Sequence, residues 1–275
     1  MIQFSSMLPE YDNPPVVEVI FAVSWRSLPL SVVDLSRFGL EHLGDEFPNR
    51  QEQPPMHMPR ESFDDAVQAL APSLTFLEGT PPMRLLFQSN DKTRLVQLQR
   101  DWLACNWQRA SNDDSYPRYE SIEGFFLDTW DKFLEFQGNN NETEIVVNQC
   151  ELTYVNHITP GNLWERHGQV SDVIRLAGIA GDFLPEPEDA QLAFRYRIRH
   201  EDRDIGRLHV QVQPAFRRED LSPLIQLNMI ARGTPIEPGR EGMVSFFQLA
   251  HKWIVNGFAA TTTDLAQRDL WRRTL

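Results

Sequence analysis

The chain has almost no cysteine and almost no lysine, and each scarcity excludes something. Cys105 and Cys150 share no C-x-x-C spacing, so thiolates alone cannot build a zinc site, and the strand-like residues around each mark them as buried thiols. Lysine occurs only at Lys92, Lys132 and Lys252 among 26 basic residues. Positive charge is therefore carried by arginine, whose planar fork suits carboxylate, phosphate and aromatic partners. No apolar run approaches the ~20 residues of a bilayer span. The opening Met1-Ile2-Gln3-Phe4-Ser5-Ser6 lacks the charged-then-apolar order of a secretion signal, so a cytoplasmic protein is expected, and the sequon at Asn141 carries little weight. There is no H-E-x-x-H, no G-x-S-x-G and no Walker loop, and the seven histidines are scattered singly. Asp113, Asp114, Asp202 and Asp204 lack the glycine and closing glutamate of a calcium loop, and Gly178 and Gly181 are read as a turn. No motif calls for a cofactor or a metal.

What is present is the composition of an ordinary globular protein, with 41% apolar and 24% charged residues. The net charge of −13 disfavours non-specific nucleic-acid binding unless basic residues gather in one place. A length of 275 residues suits two fused small domains better than one.

The order of elements supports that division. Val16 to Trp25, behind Pro14-Pro15, is a β-branched and aromatic strand. Ser31 is placed to cap a helix reaching Leu43, with Gly44 as its stop. The prolines at 48, 54, 55 and 59 predict a long irregular loop over residues 47–62. Period-two patterns then mark strands at Met83 to Gln88, Thr93 to Gln99 and Trp102 to Gln108. An amphipathic helix follows Pro117, with Ile122, Phe126, Trp130 and Phe133 on one face and Gly138 as its expected end. Gln149 to Ile158 begins a second round. Residues 164–177 predict a helical turn or two; strands follow at Ala190 to His200, Ile205 to Gln213 and Leu224 to Ala231. A helix through Met243, Phe247 and Ile254 comes next, then a short one capped at Thr261 to Thr263. The expected fold is α+β: two tandem modules, residues 1–142 and 143–275, each an antiparallel sheet covered by helices, together one pseudo-symmetric body.

Several stretches together resemble a family of sporadically distributed bacterial proteins that open on a Pro-Pro-apolar-x-Glu strand. They are Pro14-Pro15-Val16-Val17-Glu18-Val19, Val96 to Gln99 with Asn106-Trp107, Tyr116-Pro117-Arg118-Tyr119, Leu152 to Ile158, and Gly206 to Val210. The resemblance spans most of the chain and implies no agreed activity or catalytic residues, so it transfers no site. Its patchy occurrence is that of accessory or phage-defence genes. Each module also looks TATA-binding-protein-like or START-like, an analogy of fold that does not fix function.

The most informative pattern is in the second module. In Phe194-Arg195-Tyr196-Arg197-Ile198-Arg199 alternate side chains oppose, which puts Arg195, Arg197 and Arg199 on one face. Arg207, His209, Gln211 and Gln213 answer them on the next strand, and Gln226 and Asn228 on the third. Such a face can capture a partner protein or an anionic small molecule without catalysis. It also reads as a solvated sheet surface paired with acidic neighbours. Gln97, Gln99 and Asn106 extend the polar side into the first module, and Asn156 and His157 are expected to join it across the seam. That Asn-His pair fits either an acid-base role, making an enzyme centred on His157, or a structural hydrogen bond. A START-like carrier of an apolar ligand between sheet and helix is the third reading, with Trp107, Trp130, Trp164 and Trp253 as lining or as core. A second copy of the chain is a candidate partner.

Overall fold

The computed structural model describes residues 7–56, 58–63, 83–111, 113–140, 145–175, 183, 185 and 187–275. The strands are β1 (Val16–Trp25), β2 (Asn49–Gln53), β3 (Arg84–Gln88), β4 (Arg94–Gln99), β5 (Trp102–Gln108), β6 (Val147–Ile158), β7 (Leu192–His200), β8 (Arg203–Phe216) and β9 (Pro223–Gly233). The α-helices are α1 (Val32–Phe38), α2 (Tyr119–Asn140), α3 (Gly239–Thr261) and α4 (Asp264–Asp269). All the strands join one antiparallel sheet in the order β2-β3-β4-β5-β1-β6-β9-β8-β7. The chain is thus an α+β protein with a single continuous sheet. β1 and β6 lie side by side at its middle, from Glu18 opposite Val155 to Ser24 opposite Gln149.

Both central strands are rich in residues that fit a pleated, buried surface. Val19, Phe21 and Val23 of β1 and Cys150, Leu152 and Tyr154 of β6 point to the side that carries α2 and α3. There Phe21 stacks on Phe126 of α2 at 5.6 Å and meets Phe247 of α3 at 5.0 Å, while Phe126 and Phe247 touch edge to face at 5.2 Å. One apolar core therefore runs beneath the whole sheet. Both cysteines lie in it as free thiols, and burial raises their pKa values.

Local signals explain most of the boundaries. Ser31 Oγ accepts from the Asp34 N–H at 3.2 Å and Asp34 Oδ2 accepts from the Ser31 N–H at 2.9 Å, a reciprocal cap on α1. The chain then continues as a π-helical turn, Gly39–Leu43, before Gly44 turns it at φ 55°. The helical turn or two expected in residues 164–177 is a 3₁₀ helix, His167–Asp172. Three expectations need correction. Residues 49–53 form the edge strand β2, because Pro48 and Pro54 flank the run rather than interrupt it and an edge strand leaves half its backbone groups to solvent. Gly138 does not end α2, which runs on to Asn140. Arg203 and Asp204, expected in a turn, already belong to β8, and only Glu201 and Asp202 make the turn. The glycines at 178 and 181 and the sequon at Asn141 lie outside the described residues.

Candidate functional site

The side of the sheet away from α2 and α3 is the polar one, and register builds it. On β7 and β8, Arg195 stands opposite His209, Arg197 opposite Arg207, and Ala193 opposite Gln211, so these side chains share one face. A bulge after Ile198 leaves Arg199 opposite Asp204. Arg197 Nη1 and Arg199 Nε both donate to the Asp204 carboxylate, at 2.7 and 2.8 Å. Those hydrogen bonds hold Asp204 below the usual carboxylate range. Arg195 pairs with no carboxylate among the described residues. Ile198 is buried on the opposite side, as alternation requires, whereas Tyr196 is 40% exposed because β7 lies at the sheet edge.

Arg207 and His209 are largely covered, because residues 54–56 and 58–63 cross this face over β4, β6 and β8. Met56 is anchored on β4, where its N–H donates to Gln99 Oε1 at 3.0 Å and its carbonyl accepts from Gln99 Nε2 at 2.8 Å. Met58 packs on a small apolar patch of Ala22, Trp102 and Ala104. Gln149 on β6 repeats the double anchor: its Nε2 donates to the Pro59 carbonyl and its Oε1 accepts from the Glu61 N–H, both at 2.9 Å. Glu61 then sits over β8 and β9. Arg207 Nη1 donates to Glu61 Oε2, His209 Nε2 donates to Glu61 Oε1 at 2.6 Å, and Arg232 Nη1 lies 3.6 Å from Oε1. Arg207 also donates to the Ser62 carbonyl at 2.8 Å and lies under the Phe63 ring at 4.6 Å. Arg232 is further fixed by Glu151 at 2.5 Å.

The Glu61 side chain is only 7% exposed. Burial alone would raise its pKa; the hydrogen bonds and charges of His209 and Arg207 outweigh that, and the net shift is downward. This carboxylate is ionised at neutral pH, with a cationic socket built around it.

The other end of the same face is open. A cleft of about 1250 Å³ is bounded by Pro14, Pro15 and Trp271 on one wall and by Arg217 and Phe216 beyond the far end of β8. The two ends of the described chain meet here, where the Asp12 and Asn13 N–H groups donate to the carbonyls of Arg272 and Trp271. His157 faces this cleft, its pKa lowered by burial and then by Arg217 and Arg109. Glu18, raised by burial, is turned to Asn106, whose Nδ2 donates to Glu18 Oε1 at 2.7 Å.

Asn156 does not join His157. Consecutive strand residues point to opposite faces. Asn156 is therefore buried on the helix side, where its Nδ2 donates to the Leu227 carbonyl at 3.0 Å. The expected pair is split, and Asn156 is a structural group beside a small pocket of about 310 Å³. Tyrosines line that pocket in place of the expected tryptophans; Trp107, Trp130 and Trp164 are core, and Trp253 packs against it.

Tyr154 Oη lies 2.9 Å from Tyr116 Oη and 3.1 Å from His251 Nδ1, and the Tyr119 ring stacks on His251 at 4.0 Å. Burial lowers the His251 pKa to about 4, with Glu120 and Lys252 as smaller influences. An unfolded imidazole titrates near ~6.5. The unfolded chain therefore binds this proton first, so the stabilisation is complete above that value and is lost as pH falls towards about 4. His251→Phe keeps a ring on Tyr119 and removes the proton. Its urea-unfolding free energy should fall less than wild type over this window, by on the order of 2 kcal/mol.

Residues 54–63 and the partners Glu61, Arg232, Glu151, Arg109 and Arg217 were not singled out by the sequence. The one available signal was Glu61 in a polar, proline-rich stretch. Among the described residues no group of histidine, cysteine and carboxylate side chains could hold a metal ion, and no helix is long and apolar enough to cross a membrane. No protein-family model and no curated protein matches the chain.

Proposed function

We propose that this is a non-catalytic binding protein whose polar sheet face captures an acidic segment of a partner protein. The support is Glu61. A carboxylate carried on an extended stretch of backbone is held by Arg207, His209 and Arg232, while flanking carbonyls are held by glutamine and arginine side chains. An acidic peptide offers the same groups: carboxylates for the arginines and backbone for the amides. Beside this socket, Arg195, Arg197 and Arg199 set three guanidiniums against the single carboxylate of Asp204. The row is thus locally cationic on a chain of net charge −13. Local excess of that kind selects acidic partners and raises the rate of encounter.

In this reading the halves 1–142 and 143–275 are two like units, with β1 and β6 side by side at the seam. The chain is placed with the sporadically distributed bacterial proteins that share its opening strand, in an accessory or defence role in the cytoplasm. The carrier alternative rests on the helix-side pocket, which at about 310 Å³ is at the bottom of the range for small-molecule sites and is lined by tyrosine hydroxyls as well as by apolar residues such as Val16, Met229, Ile254 and Phe258.

The test is a labelled oligoglutamate peptide followed by fluorescence anisotropy at low and at physiological salt. Replacing Arg195, Arg197 and Arg199 together with alanine should weaken binding at least about tenfold and flatten its salt dependence. The unfolding free energy should change by less than about 1 kcal/mol, since the three side chains are exposed. Equal affinity in the triple variant would refute the assignment.

A further inference from the structure

We infer that the open end of the polar face is a separate binding site for a phosphate monoester, its phosphoryl group seated between the guanidiniums of Arg109 and Arg217 and the imidazole of His157. This does not depend on the capture of an acidic segment at the Glu61 end. The three side chains come from different elements: Arg109 follows β5, His157 lies on β6, and Arg217 follows β8. Each backbone is pinned, with the Arg109 N–H donating to the Val17 carbonyl at 2.7 Å, the His157 N–H to Pro15 at 2.9 Å and the Arg217 N–H to Ser222 at 2.8 Å. The backbone positions from which the three side chains reach the cleft are thereby fixed.

The cations are also under-used. Arg109 pairs with no carboxylate among the described residues, and its Nε is buried without a hydrogen-bond partner there. A buried donor left unmade is costly, and an anion would satisfy it. Among the described residues the only carboxylate paired with Arg217 is that of Asp220, at 3.9 Å and half exposed. All three side chains line the same cleft, and both guanidinium charges are felt at the imidazole, whose pKa they lower. His157 stays neutral and offers an N–H, and two arginines match the charge of a phosphate dianion.

The remaining charged residues lining the cleft are Lys92 and Arg218, and the carboxylates Glu18, Glu219 and Asp220. Glu18 is turned to Asn106. The cleft, at about 1250 Å³, is far larger than a phosphate needs, and Phe216, 61% exposed and meeting His167 edge to face at 5.1 Å, supplies an apolar ring at its rim. The chemistry fits a phosphate carried on a body the size of a nucleoside, with a ring able to lie on Phe216.

His157 itself is the reporter. In the intact protein its imidazole resonances would be followed through a pH titration in millimolar inorganic phosphate, in adenosine monophosphate, and in chloride at matched ionic strength. Phosphate should raise the His157 midpoint relative to chloride by about half a pH unit or more. Adenosine monophosphate should do so at about tenfold lower concentration and should also shift the Phe216 ring resonances. Arg109→Gln and Arg217→Gln should each weaken phosphate about tenfold. Arg195→Ala, at the other end of the face, should change nothing and serves as the control. An unmoved midpoint in wild type, or glutamine variants that respond to phosphate as wild type does, would overturn the site. Equal potency of the two phosphates would overturn the nucleoside-sized body.

Discussion

A lysine in place of Glu61 should detach residues 58–63 from the sheet and cost about 3 kcal/mol of stability. The cost comes from the charges left behind. With Glu61 present, Arg207 and Arg232, 17% and 13% exposed, are compensated; with lysine there, three cations crowd one mostly buried place. Glu61→Gln keeps the size and some of the hydrogen bonding, so its loss should be smaller. Amide hydrogen exchange gives the direct readout, because the Glu61 N–H is held by Gln149 and should lose protection in the lysine variant. Acid should do the same to wild type. The folded pKa of Glu61 is depressed, so its contribution is complete above the unfolded value of ~4.3 and is lost as pH falls through the folded value; Glu61→Gln should lack that limb. If the socket is also the capture surface, Glu61→Ala should bind the oligoglutamate peptide more tightly than wild type, the internal competitor being gone. Unchanged affinity with normal folding would leave Glu61 a structural clamp and remove the main support for the capture reading.

The reason the arginine row was legible and the strap across it was not lies in the range of the interactions. Side-chain alternation is a local rule, so Arg195, Arg197 and Arg199 could be assigned one face from six consecutive residues, and register carries them there. The same rule, applied to Asn156 and His157, separates them; reading both as polar was a statement about composition that the pleat overrides. Glu61 and Arg207 are 146 positions apart, and nothing in a proline-rich loop indicates which strand it will lie on. Prolines at 54, 55 and 59 excluded a ladder, and the backbone groups found side-chain partners instead, Gln99 and Gln149 among them. Gly138 failed as a stop signal because a helix end is also decided by what the helix packs on; Phe133 and Phe136, in its last turns, are buried against the core. The division into two sheets failed for a related reason. β1 and β6 each have a bare edge that the other covers, and pairing them removes two exposed edges at the price of none.

Gly233→Ala should cost at least about 3 kcal/mol. Gly233 ends β9 opposite Gly206 of β8, on the side facing α3. A Cβ there would overlap the Ile205 carbonyl oxygen and come within 2.6 Å of the Gly206 Cα and 2.8 Å of the Phe246 ring. Two of those neighbours are backbone, and the Ile205 carbonyl is already engaged by the Thr234 N–H at 2.9 Å, so neither can retreat without breaking the ladder beside Arg207 and Arg232. Phe246 is fully buried and has nowhere to turn. Gly206, whose added Cβ would come within 2.5 Å of the Arg232 carbonyl oxygen, and Gly233 let β8 and β9 lie close to each other, and Gly233 also admits the Phe246 ring of α3 beneath the strands that carry the socket. Damage should therefore spread to the polar face, and Gly233→Ala should lose Glu61 N–H protection along with global stability. Gly124→Ala provides the contrast: it is exposed within α2 with nothing near its added Cβ, and should gain up to about 1 kcal/mol from helix propensity alone. Chemical denaturation of the two variants side by side separates steric exclusion at the Gly206–Gly233 pair from any general effect of replacing glycine. A loss at Gly233 below about 1 kcal/mol would mean that α3 and the β8–β9 ladder can move apart without cost.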